Sequence, residues 1–312
     1  MTEANFFTKQ SPQSRLGTNT DVSIAMAFDI GDNDDGDTGD LSSLFICEEY
    51  VEKEFTFPHP GGASSTVQRL LCSSMSSTAH DLTGQIVWPA AEYLSYFIEY
   101  VLSKNLTDAV VMELGAGCGL SGFLASRYCS KSIITDGSDV VVRLLEKNME
   151  FLGSSNVEVS SLLWGMKIEI NKIVDKNGAP PDVILGADVI LWPNQIEFLL
   201  YTILWLLSFK PLESNAYIAY VVRATSTTDL LLATAERLNL SIIKLDDEMG
   251  RIFSGVEGGV AEPSNLASLQ KHILNITIKK DFARDIKVPL SLVRESIDEE
   301  LERNFYGNAA PC

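Results

Sequence analysis

Between Ala109 and Leu238 short apolar runs alternate with amphipathic stretches, and that alternation restricts the fold more than any other feature of the chain. Strands are expected at Ala109–Leu114, Ser132–Asp136, Val157–Leu163, Asp182–Ala187 and Ala216–Arg223, and helices at Gly119–Cys129, Asp139–Phe151, Asn194–Phe209 and Thr228–Leu238. A strand that feeds a helix returns to the same end of the sheet, so its successor runs parallel to it. The fold class is therefore α/β, a mostly parallel sheet with helices on both faces.

The flanks read differently. Tyr50-Val51-Glu52-Lys53-Glu54-Phe55-Thr56-Phe57 alternates with period two, Pro58-His59-Pro60-Gly61-Gly62 breaks it, and Val67-Gln68-Arg69-Leu70-Leu71 follows, the pattern of a β-hairpin. Pro89 opens a helical pattern with apolar residues at Ala90, Leu94, Phe97, Ile98 and Val101. Near the other end, Ser241–Leu245 and His272–Ile278 have no convincing helix between them and are expected as an antiparallel pair. The resulting organisation is an acidic mobile tail over 1–43, a hairpin extension over 44–82, one α/β domain over 83–285 and a helical tail over 286–312.

A formal net charge of −18 excludes an electrostatic grip on phosphate backbones, so no nucleic-acid partner is expected. The acidity suits a basic partner, or serves solubility alone. Asp29, Asp32, Asp34, Asp35, Asp37 and Asp40 resemble a calcium loop, but placing Gly36 or Gly39 as its turn glycine puts a glycine where a carboxylate ligand belongs. With three histidines and five irregularly spaced cysteines, no metal site is expected, and reduced thiols in the cytoplasm or nucleus are the simplest expectation. The start Met1-Thr2-Glu3-Ala4-Asn5-Phe6-Phe7 lacks the basic region of a leader. The most apolar stretch, Phe198–Phe209, falls short of the about 20 residues that span a bilayer, so it is expected as a buried helix and no membrane partner is expected.

The run Val110-Val111-Met112-Glu113-Leu114-Gly115-Ala116-Gly117-Cys118-Gly119 leads an apolar strand through small residues into a helix. Such a turn lets backbone approach a ligand closely at the carboxyl end of a strand, with free amides at the start of the helix. Two nucleoside cofactors compete for it. Gly117-Cys118-Gly119-Leu120-Ser121-Gly122 satisfies the dinucleotide pattern, whereas Glu113, Gly115, Gly117 and Gly119 together suit S-adenosyl-L-methionine. Asp136, closing the second strand, suits either, because a carboxylate there can accept from both ribose hydroxyls.

Other motifs separate the two. Thr83-Gly84-Gln85-Ile86-Val87-Trp88-Pro89-Ala90-Ala91, Glu113 to Leu120, Thr135-Asp136, Leu144 to Asn148, Leu163-Trp164-Gly165 and Gly186-Ala187-Asp188-Val189-Ile190-Leu191 occur in the order found in another group of proteins. From about Glu48 to Lys280 the chain resembles the seven-strand class I methyltransferases, and within them the family-16 protein methyltransferases that mostly modify lysine. The resemblance implies a Rossmann-like seven-stranded sheet with an antiparallel strand pair at its carboxyl-terminal end. It also implies S-adenosyl-L-methionine as cofactor and a protein substrate; the acidity of the chain suits one that presents a basic segment, and a monomer is expected.

The resemblance further implies site roles. Gly115, Ala116 and Gly117 would pass beside the methionine part of the cofactor, Asp136 would hold the ribose, Trp164 would lie beside the adenine and Trp88 would help close the pocket, with Glu113 and Ala187 completing the cofactor set. Family members usually carry D-x-x-Y where this chain has Asp188-Val189-Ile190-Leu191-Trp192-Pro193, so Leu191 stands at the tyrosine position. Trp192 is expected to supply the missing aromatic wall, and Asp188 to hold the incoming cationic amine. Small-molecule, histidine or arginine acceptors, and a non-catalytic interaction module, are the competing readings.

Overall fold

The computed structural model describes residues 50–59, 64–74, 80–254 and 259–285. From the amino end, β1 (Tyr50–Pro58) and β2 (Ser65–Ser73) pair antiparallel, with Tyr50 opposite Ser73 and Pro58 opposite Ser65. Helix α1 (Pro89–Phe97) opens on Pro89, whose fixed φ and missing N–H suit a first helical position. Then β3 (Val110–Leu114), α2 (Leu120–Ala125), β4 (Lys131–Asp136), α3 (Asp139–Leu152) and β5 (Val157–Ser161) follow. The chain continues through α4 (Lys167–Asn177), β6 (Val183–Ala187), α5 (Ile196–Leu207), β7 (Asn215–Val221), α6 (Thr225–Arg237) and β8 (Leu240–Lys244). It closes with α7 (Asp246–Ile252), α8 (Ser264–Ala267), β9 (Lys271–Ile278) and α9 (Lys280–Asp285).

The strands after the hairpin form one seven-stranded sheet in the order β5-β4-β3-β6-β7-β9-β8. The first five run parallel, and β9 lies antiparallel between β7 and β8. Met112, Leu114, Ile133, Ile184 and Ile218 pack with α4, α5 and α6 in one core layer. Val111, Leu185, Ala219 and Ile273 pack with α1 and α7 in another. Strands covered on both faces need apolar side chains at successive positions, which is why these read as short continuous runs. Helix α5 is buried along most of its length, as its apolar sequence demands.

Four helices, α4, α7, α8 and the short α9, lie where the sequence reading placed none. α4 buries only Ile170, Ile173 and Val174 among its charges, too thin a stripe to register. α7 and α8 fill the segment between β8 and β9 that was expected to lack helix. The expected tails over 1–43 and 286–312 lie outside the described residues.

The connectivity places the site. From central β3 the chain moves outward through β4 to β5, then crosses back to β6 on the other flank of β3 and moves out to β7. The connections leaving β3 and β6 diverge, so a crevice opens at the carboxyl ends of these neighbours, the general ligand position of open α/β sheets.

Candidate functional site

Between β3 and α2 the chain turns through Gly115, Ala116, Gly117, Cys118 and Gly119. Gly115 and Gly117 sit at φ of +60° and +55°, a region costly for side-chain-bearing residues. Space forbids a side chain as well. A Cβ on Gly115 would come within 2.9 Å of Trp164 Cζ2 and Val189 Cγ1, and one on Gly117 within 3.0 Å of the Gly84 carbonyl. The turn is pinned by Ala116 N donating to the Thr135 carbonyl at 3.0 Å and Gly119 N donating to the Ala116 carbonyl at 2.8 Å.

Glu113, expected in the cofactor set, is turned into the interior under the turn. Its side chain is buried at 1% exposure, and its carboxyl accepts from Gly122 N at 2.8 Å. It lies beneath the turn and ties β3 to α2. Burial pushes its pKa up to about 8 against the opposing hydrogen bonds from Gly122 and Ser121, so it is mostly the neutral acid at neutral pH.

Asp136 closes β4 beside the turn. One carboxylate oxygen accepts from Gly117 N at 3.1 Å and the other from Ser138 N at 3.0 Å. Burial raises its pKa, opposed by the amides of Ser138, Gly117 and Gly137. Each oxygen retains a lone pair, so the group can still accept from a vicinal diol. Leu163, 54% exposed, leans over Gly137, where a Cβ would meet its Cδ2 at 3.0 Å. The neighbouring ring, Trp164, is the one expected from the sequence beside the adenine. Trp164 is laid against Gly115, the packing that the Gly115 contact records.

Trp88, at the start of α1, donates from its indole N–H to the Thr83 carbonyl at 2.8 Å. This fastens it to the segment whose Gly84 presses on the turn. The next residue, Gln85, was given no role from the sequence, yet it is buried and its Oε1 has no partner among the described residues. A buried orphan acceptor beside a glycine turn invites a donor from a ligand.

At the end of β6, Ala187 pairs in register with Ala219 and Asp188 follows. Asp188 adopts φ +59°, with its N–H donating to the Ala219 carbonyl at 2.8 Å. Its carboxylate does not wait for a cation. Arg223, just beyond β7, donates to Oδ1 at 2.6 Å and to Oδ2 at 2.5 Å. The same guanidinium stands 5.8 Å from the ring centroid of Trp88. Trp192, 43% exposed, lies on the connection between β6 and α5. The carboxyl ends of β3 to β7 thus carry Gly115, Asp136, Leu163, Trp164, Asp188 and Arg223 along one edge.

Residues 74–236, just over half of the chain, match the model of a family described as lysine methyltransferase. The chain belongs to that lysine methyltransferase family. A mouse protein named histone-arginine methyltransferase METTL23 is 31% identical over 170 residues, which are 54% of this chain and 63% of that one. Mouse protein-lysine methyltransferase METTL21E is 31% identical over 152 residues, 44% of this chain and 62% of its own. Mouse protein-lysine N-methyltransferase EEF2KMT is 26% identical over 231 residues, 68% of this chain and 65% of its own. The chain spans less than two thirds of the length of these relatives. Trp88, Gly115, Asp136, Trp164, Asp188, Trp192 and Arg223 all fall inside the part matched to the lysine methyltransferase family, whereas the hairpin and β9 fall outside it.

Proposed function

We propose that this chain transfers the methyl group of S-adenosyl-L-methionine to a lysine side chain of a protein, one that presents a basic segment. The observation that carries the reading is the convergence of the Gly115–Gly119 turn, Asp136 and Asp188 at the crevice between β3 and β6. The donor set suits the cofactor: Asp136 keeps acceptor capacity for ribose hydroxyls, and Gln85 has an acceptor to spare. Membership of the lysine methyltransferase family supports the same chemistry.

When bound, the cofactor supplies an electrophilic methyl group on a sulfonium. The protein's part is alignment and exclusion of water. Gly115 and Gly117 let the backbone close on the methionine part, and Leu163 and Trp164 give apolar cover along the turn. Asp188 accepts a hydrogen bond from the acceptor nitrogen and aims its lone pair, while Trp192 borders the approach. A lysine amine has an ordinary pKa of about 10.4 and must shed its proton, to solvent, before it attacks.

Calorimetry with S-adenosyl-L-methionine, followed by transfer of labelled methyl groups to an extract, tests this. The wild type is expected to bind and to label protein. Asp136→Ala is expected to weaken cofactor binding more than tenfold, and unchanged affinity would remove it from the ribose role. Asp188→Ala is expected to abolish transfer with cofactor affinity within a few-fold, and turnover like the wild type's would remove Asp188 from the site.

A further inference from the structure

Asp188 is the one acidic residue of the described chain held at a positive φ, and that conformation directs its carboxylate to the end of β7. There Arg223 meets both oxygens through the two nitrogens of its fork, a bidentate geometry that a lysine could not reproduce. The Asp188 side chain is 5% exposed and that of Arg223 36%, with the Trp88 ring alongside the guanidinium. An arginine held between a buried carboxylate and an indole is part of the site's construction rather than a passing surface ion pair.

This sets the electrostatics that an acceptor nitrogen meets. A lone carboxylate there would favour the ammonium form and so oppose the deprotonation that transfer requires. Paired with Arg223, the same carboxylate carries no net charge into the crevice but keeps lone pairs that can accept an N–H.

We propose that Arg223 is a positioning residue that cancels the charge of Asp188, so that the acceptor site takes up its lysine as the neutral amine. The inference rests on the lysine-transfer reading above. Charges on the elements packed around the pair are engaged elsewhere. Glu92 of α1 accepts from Asn265, Lys271 of β9 pairs with Glu262, and His272 and Lys244 group with Asp246. Asp136 of β4 is held by the amides of Gly117 and Ser138. Arg223 and Asp188 find their opposite charge in each other.

Labelled methyl transfer to soluble extract protein, measured from pH 6 to 10, separates this role from a purely structural one. Enzyme and cofactor are raised until the rate no longer depends on enzyme concentration, so that the profile reports groups in the bound complex. Removing the cation in Arg223→Met is expected to move the rising limb up by about one to three pH units. Removing the anion in Asp188→Asn, where asparagine tolerates the positive φ and keeps an acceptor oxygen, is expected to slow transfer and move the limb down. The double variant, neutral at both positions, is expected to return to the wild-type limb, as is Arg223→Lys at a lower rate. Coincident profiles for the wild type and Asp188→Asn would overturn the proposal, as would a double variant that fails to return; should Arg223→Met not fold, these two still decide. If the wild type leaves no label on lysine, the lysine-transfer reading fails instead, and the two failures are distinct.

Discussion

A carboxyl group sealed beneath the glycine turn makes Glu113 a source of pH dependence. Its folded pKa of about 8 lies above its ordinary value, so the native state holds a proton that the unfolded chain releases. The stability tied to Glu113 is therefore full below about pH 4.5 and declines as the pH rises towards 8. Glu113→Gln keeps an acceptor for Gly122 N and removes the ionisation. Thermal midpoints of the two proteins from pH 5 to 8.5 are expected to diverge, the wild type falling more steeply; parallel curves would show that Glu113 is not the buried acid described here. Gly115→Ala has two faults, the positive φ and the clash with Trp164 and Val189, and the backbone fault alone costs about 1–2 kcal/mol. Denaturant unfolding should show at least that loss together with weakened cofactor binding, and a variant as stable as the wild type would contradict the packing of the turn. At this scale the glycines and Asp136 were legible because their chemistry is local. The Asp188–Arg223 pair was not, since it joins residues 35 apart in sequence through a left-handed backbone that no motif announces.

The hairpin packs on the domain through Phe57, Leu70 and Cys72, Thr66 donates to Glu99 and Arg127 to the Val67 carbonyl, and one buried amide joins it to the glycine turn. Asn148 of α3 accepts from Leu71 N at 2.6 Å and donates to the carbonyls of Leu71 at 3.0 Å and Cys118 at 3.3 Å, which links β2 to the glycine turn. Asn148→Ala leaves these backbone groups buried without partners, at a cost of about 1–3 kcal/mol. Urea unfolding is expected to show that loss and hydrogen exchange at Leu71 to quicken, whereas unchanged protection at Leu71 would mean that Asn148 does not hold that amide. The parallel core was readable from apolar runs because β3, β4, β6 and β7 are covered on both faces. Boundaries shifted where termini tighten: the helix expected over Gly119–Cys129 is α2 at Leu120–Ala125, and the one expected over Asn194–Phe209 begins with a 3-10 turn at Pro193–Gln195. The hairpin was readable from its alternation, but its attachment through Asn148 is a tertiary fact carried by one side chain.

For the whole molecule, topology and charge divide the labour. The strand order brings motifs scattered from Trp88 to Arg223 to one edge of the sheet. The net charge of −18 bears on which proteins come near it. A basic acceptor drawn by that field should be methylated less well as salt rises, because screening shortens the reach of surface charges to about 8 Å at 0.15 M ionic strength. Transfer rates at limiting acceptor are expected to fall several-fold between low and high salt; salt-independent rates would assign the acidity to solubility alone. The central claim, transfer to lysine, is tested most directly by incubating the protein with labelled S-adenosyl-L-methionine and extract protein, hydrolysing the product and identifying the labelled amino acid. The account predicts methyl-lysine. Label confined to methyl-arginine, methyl-histidine or a small molecule, or no transfer by a protein that binds the cofactor, would contradict it.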